Sequence, residues 1–413
     1  MMTATVHDGL AVTGIGLVTP AGVGVEETWA QVCTGRPLAA HDPQLAGLPV
    51  DLSCRVPGFD PHAHVPGTRP WQLDRFTQFA LTAAHEAVRD ARLSPDSWDP
   101  PRVAVVLGSA AGGVSTYEAQ HHRLTSSGAP SVSPMTLPSY LPNMASGQLA
   151  IALGARGPVL HTATACASGA TALITAAMLL NSGACDIAVA GGSDAMITPL
   201  CAAAFAKMGA LSRRLDDPSA ASRPFDRHRD GFVLAEGAGV LVLEHLRHAE
   251  ARSAPVRAVL AGYGMSTDAR HPVAPDPGAT GILHATEAAL QRAGADATEV
   301  EHVNAHGTST PLNDRAEALL LHRLFGDTPP PVTSVKGTIG HTMGAAGAIE
   351  AALTVLSVEH AVVPPTANFQ EPDSETWPVR PVTGDPLRQK VRLALSNSFG
   401  FGGHNTVLAF RPA

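Results

Sequence analysis

Short apolar runs of strand length alternate with helical runs along almost the whole chain, and few architectures accommodate that pattern. The spacing predicts strands over 10–18, 102–108, 186–190, 240–243, 256–263, 300–305, 331–335, 391–396 and 405–410. It predicts helices over 25–34, 72–91, 281–294, 314–325 and 344–360. The second is strongly amphipathic, with Phe76, Phe79, Ala80, Ala83, Ala84 and Ala87 on one face. Such alternation indicates an α/β chain whose sheets are largely parallel and buried on both faces. Residues 37–70 read as irregular, 120–135 as a polar loop and 191–194 as a loop. The order of elements recurs loosely in two parts, 1–255 and 256–413, without a sequence repeat.

Length and charge narrow the function. A chain of 413 residues with 45% hydrophobic content can bury a large core. A formal net charge of −8 argues against nucleic acid as the main partner. The five cysteines (Cys33, Cys54, Cys166, Cys185, Cys201) show no C-x-x-C pair and no metal-ligand spacing, which fits a reducing compartment and predicts no metal. The stretch Met1 to Asp8 lacks a basic segment followed by an apolar one, and no apolar run approaches the roughly 20 residues that span a bilayer. A cytoplasmic protein without a membrane partner is expected. His121 and His122 are adjacent, share no helix face and read as solvated loop residues, not a metal pair.

Four stretches place reactive or polar side chains at predicted strand ends among small residues. In the first, Thr164-Ala165-Cys166-Ala167-Ser168-Gly169, a β-type run ends at a cysteine and a helical run begins directly after it. A thiol at a helix N-terminus meets unpaired N–H groups that lower its pKa and favour the nucleophilic thiolate. A buried structural cysteine is the other reading of this stretch alone. The remaining stretches carry Asn304-Ala305-His306-Gly307-Thr308, Lys336 with Gly340-His341, and Gly400-Phe401-Gly402-Gly403. Strand-end loops are where α/β folds build sites. One cysteine and two histidines in such loops point to a shared site.

On these motifs, and on Arg223-Pro224-Phe225-Asp226 with Arg229-Asp230-Gly231-Phe232, the chain resembles the elongating β-ketoacyl-acyl-carrier-protein synthases, including polyketide ketosynthases, over nearly its whole length. The resemblance implies a thiolase-type fold, two similar α/β halves in a five-layered αβαβα arrangement. It implies that Cys166 takes an acyl group and that His306 and His341 stabilise the enolate formed when a malonyl extender loses CO2. Backbone N–H groups of Cys166 and Phe401 would hold the oxyanion. Phe401 and Gly402 would form a gate over the cysteine, and Thr308 and Thr310 would bind the phosphopantetheine arm, ordinary loop capping being their alternative. Lys336 reads as the buried partner of Glu350, the pair shaping the His341 loop.

Ala111, with Cys201 and Phe205, falls where the acyl pocket is expected, and its small size predicts a longer or wider pocket. The resemblance implies no tightly bound cofactor, since the 4′-phosphopantetheine comes with an acyl carrier protein. That acidic partner would dock on Arg69, Arg75, Lys207, Arg213 and Arg214, residues that a solvated charged face explains nearly as well. Residues 134–151 would lie at an interface with an identical subunit or with one resembling a chain-length factor. Two positions depart from the family pattern: His161 stands five residues before the cysteine, and Gly337 replaces a serine after the lysine. A catalytic subunit of a heterodimer, an acyltransferase that does not decarboxylate, and a non-catalytic chain-length partner remain the alternatives.

Overall fold

Leu10–Thr19 (β1) is buried over all ten residues, so this strand is covered on both faces. The computed structural model describes residues 9–65 and 69–413; residues 1–8, read above for a leader, lie outside the described residues. The other main strands are Val103–Gly108 (β2), Val159–Thr162 (β3), Ile187–Asp194 (β4), Gly237–His245 (β5), Ala258–Thr267 (β6), His302–Asn304 (β7), Val332–Thr333 (β8), Ala394–Gly400 (β9) and His404–Arg411 (β10). The helices that matter here are Arg75–Asp90 (α1), Val114–Ser127 (α2), Ser168–Asn181 (α3), Pro199–Met208 (α4), Thr280–Ala293 (α5), Pro311–Phe325 (α6) and Ala346–His360 (α7).

The strands line up as β8-β7-β9-β10-β6-β1-β5-β4-β2-β3, and the two-residue strand Gly22–Val23 pairs β1 as an eleventh member. The second half repeats the first: β3-β2-β4-β5-β1 becomes β8-β7-β9-β10-β6, parallel at its outer end and antiparallel inward. The halves join where β1 pairs β6 at Leu10–Leu260, Ala11–Val259 and Val12–Ala258. The sheet is therefore mixed, which corrects the expectation of largely parallel sheets. β10 follows β9 after residues 401–403 only, too short a link for a parallel crossover.

Side-chain alternation sorts the layers. On β2, Val103, Val105 and Leu107 face a core shared with Phe76, Phe79 and Ala83 of α1. Ala104 and Val106 face the opposite core, shared with α3 and α7. In the second half, Val303, Leu395 and Val407 pack on Ile282, Ala285 and Ala289 of α5, while Ala394, Leu408 and Phe410 turn to the α3–α7 layer. The result is five layers in the order α1, strands, α3 with α7, strands, α5. A short turn precedes each central helix, Ala165–Ala167 before α3 and Met343–Ala345 before α7. Both turns open on a left-handed residue, Ala165 at φ 50° and Met343 at φ 53°.

Most predicted elements are present with shifted ends. Two loops are not loops. The supposed loop 120–135 begins as α2, which has no buried residue, so no apolar periodicity marked it. Residues 191–194 end β4, where a Cβ on Gly191 would lie 2.0 Å from the carbonyl oxygen of Gly239. Its glycine permits close strand packing, not a turn. Residues 37–70 carry the short strands Ala40–His41 and Leu52–Cys54 and the helix Pro61–His64.

The outer helices sit directly on glycines of β1 and β6. A Cβ on Gly16 would lie 1.8 Å from the Ala83 carbonyl oxygen of α1, and one on Gly264 would lie 1.9 Å from that of Ala285 of α5. Gly16→Ala is expected to lower unfolding free energy by about 3 kcal/mol, because a rigid helix backbone cannot yield to the added methyl. Denaturant unfolding measures it, and a loss below about 1 kcal/mol would show that the layers are not locked at this contact.

Candidate active site

Cys166 lies on the turn between β3 and α3. Ser168 clasps that turn, its Oγ donating to the Ala165 carbonyl at 2.6 Å and accepting from the Thr164 N–H at 2.9 Å. The end of β9 presses on it so closely that a Cβ on Gly400 would lie 2.4 Å from the Thr164 carbonyl oxygen. His306 follows β7. Its backbone N–H and that of Gly307 donate to the Glu317 carboxylate at 2.8 and 2.7 Å, and Asn397 Nδ2 donates there at 3.0 Å. Burial raises the Glu317 carboxyl to about 7 against these three bonds. His341 is held by its main chain, its N–H donating to Val233 at 2.8 Å and its carbonyl accepting from Ala235 at 2.9 Å.

These three loops bring the predicted residues together. The Cys166 sulfur and one ring nitrogen of each histidine all lie within 4.8 Å of one another. The two imidazoles meet edge to face, centroids 5.6 Å apart, with Phe399 beside His306 and Phe232 beside His341. Neither ring nitrogen of His341 has a hydrogen-bond partner among the described residues. Burial, reinforced by the Lys336 charge, pulls both imidazoles well below the ordinary value of 6.5, so both are neutral.

The thiol reverses the expectation. Burial pushes Cys166 up to about 12, although the Lys336 charge and a hydrogen bond from the Phe401 N–H pull it down. The helix start is visible in the sequence; the desolvation that outweighs it is not.

Lys336 and Glu350 form a buried ion pair, their side chains 1% and 2% exposed. Burial raises the Glu350 carboxyl to about 7 while Lys336 opposes the rise. The ammonium also donates to the His306 carbonyl at 2.7 Å and lies 3.4 Å from His306 Nδ1. The pair therefore shapes the His306 loop as well as the turn Lys336–Ile339 that leads to His341. An ammonium can only donate, so His306 Nδ1 is an acceptor and its proton sits on Nε2. Gly337 has no room for the serine side chain, since a Cβ there would lie 2.9 Å from the Ala367 carbonyl oxygen.

Cys166, His306 and His341 line a cavity of about 450 Å3 that also borders Thr308, Thr310, Phe399 and Phe401. It is flanked by Met208 and Leu312, 49% and 60% exposed. The Thr308 and Thr310 hydroxyls bond each other at 2.8 Å, and Thr310 does not cap α6 with its side chain. Gly402 donates its N–H to Pro272 at 2.9 Å, so of the two gate residues only Phe401 offers an N–H to the sulfur. Ala111, Cys201 and Phe205 belong to the apolar cluster behind Cys166 and do not line the cavity. The Phe401 ring, on the cavity wall, lies 6.5 Å from that of Phe205.

Arg69, Lys207 and Arg213 are exposed, and Arg214 is half-buried with one guanidinium nitrogen donating to the His228 carbonyl at 3.3 Å. Arg75 is a correction: it clamps Glu236 at 2.9 and 2.7 Å and stacks over Phe79, so it holds α1 and is not free for a partner. His161 lies on β3, where burial lowers its pKa against a hydrogen bond to the Leu107 backbone, and His121 and His122 are exposed on α2.

Residues 8–249 match the family described as Beta-ketoacyl synthase, N-terminal domain, and residues 257–370 match Beta-ketoacyl synthase, C-terminal domain. The chain belongs to the β-ketoacyl synthase family. It is 40% identical over 412 residues to the 3-oxoacyl-[acyl-carrier-protein] synthase 2 of Synechocystis, 97% of each chain being covered. A protein of the same description from Staphylococcus aureus is 39% identical over 406 residues, covering 97% of this chain and 98% of that one. The structure of a β-ketoacyl synthase from Burkholderia phymatum superposes with a TM-score of 0.92 at 33% identity, covering 98% of this chain and all (100%) of that one. The ishigamide ketosynthase/chain length factor superposes with a TM-score of 0.91 at 33% identity and the same coverage. So does, at 0.91 and 31%, a type II polyketide synthase acyl-carrier protein in complex with its ketosynthase bound to the hexaketide. The fold is that of the thiolase-like ketosynthases.

Several wall residues of this β-ketoacyl synthase escaped the sequence reading. Asp268, His271, Val273, Ala274 and Pro275 line the cavity from the loop after β6. That strand runs to Thr267, four residues beyond its predicted end at Tyr263, so the loop was not recognised as a strand-end loop. Asp194 is buried at the end of β4 and accepts from Ser109 Oγ at 2.6 Å and from the N–H groups of Ala110, at 2.8 Å, and Gly344, at 2.6 Å. It pins the loop before α2 to the turn before α7.

With its pKa near 12, the Cys166 thiol carries little thiolate at neutral pH, and the fraction grows with each step in pH. Iodoacetamide alkylation of Cys166, followed by peptide mass, is expected to quicken about tenfold per unit between about pH 7 and pH 9. A plateau below about pH 8 would mean that the turn stabilises the thiolate after all.

Proposed function

We propose that this β-ketoacyl synthase catalyses decarboxylative Claisen condensation of a Cys166-bound acyl chain with a malonyl extender on an acyl carrier protein, in fatty acid elongation. The convergence of Cys166, His306 and His341 on one buried cavity carries the reading. The names of the Synechocystis and Staphylococcus relatives support it. The protein itself needs no tightly bound cofactor, because the phosphopantetheine arrives on the carrier and lies along Thr308 and Thr310.

In the first step the Cys166 sulfur attacks the acyl thioester, its proton passes through a neutral imidazole to the departing pantetheine thiolate, and the acyl group moves to sulfur. The N–H groups of Cys166 and Phe401 hold the oxyanion. In the second step the malonyl carboxylate leaves as CO2 and its bonding electrons form an enolate. The thioester oxygen accepts hydrogen bonds from His306 Nε2–H and from His341. The carbanion attacks the acyl-Cys166 carbonyl, and the tetrahedral adduct expels the Cys166 thiolate, which takes up one proton. Neutral imidazoles suit this task, since they donate without protonating the enolate carbon.

The β3 edge strand exposes Val159 and Leu160 at 39% and 41%, and Leu137 and Ile151 of the 134–151 segment are also exposed. We place a second subunit on this face. An identical subunit gives a homodimer. The ishigamide ketosynthase/chain length factor, a similar structure, favours as second reading the catalytic member of a heterodimer with a chain-length-factor-like partner. Lys207, Arg213 and Arg214, close in sequence to the cavity residues Met208 and Ala210, suit an acidic carrier protein.

Intact-mass analysis of carrier protein incubated with enzyme, acyl donor and malonyl carrier is expected to show a 3-oxoacyl product two carbons longer, with one CO2 released per product. His341→Ala is expected to lower that rate by about 10²–10³-fold. Acyl transfer without CO2 would establish the acyltransferase alternative, and no reaction at Cys166 the non-catalytic one. Ala111→Ile is expected to slow acylation by long chains at least about tenfold and leave short chains unchanged, by crowding the apolar cluster behind Cys166 that a long chain would enter. Equal rates across chain lengths would remove Ala111 from the acyl pocket.

A further inference from the structure

The same three side chains have a second chemistry that does not depend on condensation. A thiol sulfur and two imidazole nitrogens, all within 4.8 Å of one another and all buried, form a soft S/N/N donor set. No spacing in the sequence marks it, because the ligands come from three loops up to 175 residues apart in number, Cys166 to His341. We propose that this set is a zinc site, and that Zn2+ held by Cys166, His306 and His341 is a reversible block on the enzyme.

Tetrahedral zinc with one sulfur and two nitrogen ligands needs donor separations of about 3.3–3.6 Å, so the triad must contract by roughly 1 Å. Side-chain rotation supplies that, since neither His341 nitrogen is committed to another partner among the described residues. His306 offers Nε2 to the metal by changing tautomer: its proton moves from Nε2 to Nδ1, and the Lys336 ammonium, 3.4 Å away, keeps its bonds to Glu350 and the His306 carbonyl. The neighbouring ammonium does not forbid a cation, because Glu350 neutralises it within the same buried pair. The fourth position faces the cavity and takes water. Binding converts the thiol to a thiolate and releases its proton to solvent. Sulfur bound to zinc cannot carry an acyl group, so metal and substrate exclude each other.

The full-length protein titrated with Zn2+ alone is expected to bind one ion per chain by calorimetry. Co2+ in its place is expected to give a thiolate-to-metal charge-transfer band in the near ultraviolet and tetrahedral bands in the visible. One equivalent of Zn2+ is expected to slow Cys166 alkylation by at least about tenfold, with full recovery on adding EDTA. Cys166→Ser and His341→Asn should each lose the ion. Wild-type protein alkylated at Cys166 serves the same purpose without a substitution that could misfold. Binding that survives these changes, or cobalt spectra without the charge-transfer band, would overturn the proposal whatever the condensation assay shows.

Discussion

The buried Lys336–Glu350 ion pair is the contact on which the centre of this molecule depends. Glu350 is fixed on α7, and Lys336 on the turn that leads to His341, so the pair ties a loop to the central layer. The ammonium then reaches the His306 carbonyl and faces its Nδ1. One charge thus sets the place of one histidine, the tautomer of the other and the field around the sulfur. Breaking such a pair from one side leaves an uncompensated buried charge, a cost of about 3–5 kcal/mol.

Desolvation then divides the roles. The same burial that holds the imidazoles neutral holds the thiol protonated. Neutral imidazoles keep a lone pair and an N–H, which is what accepting a thiol proton and donating to an enolate oxygen require. Apolar walls at Phe232, Phe399 and Phe401 keep the site dry.

Much of this was readable beforehand, for identifiable reasons. Strand-end glycines and the residues beside them located Cys166, His306, His341 and Lys336, because tight turns and close backbone approach demand particular residue types. Helix α1 was readable because its buried face repeats at the helical period, whereas α2 buries nothing and left no such trace. The loop 268–275 was hidden because β6 continues past Tyr263 through residues that are mostly uncovered, Met265 and Thr267 being exposed, so no apolar run marked its true end. The role of Arg75 is not legible in sequence, because a charge there does not reveal whether its partner is solvent or, as here, Glu236. The thiol pKa is not legible in sequence, because burial is a property of all five layers together.

The two short turns before the central helices carry a last consequence. Each opens on a left-handed residue, yet where the first turn has Cys166 the second has Gly344. The space a side chain would fill there is occupied from the other half by the Asp194 carboxylate, which binds the Gly344 N–H at 2.6 Å. A frame repeated twice is therefore armed once. Each polypeptide can carry a single growing chain at a time, and the twin position has become a rivet that holds the halves together.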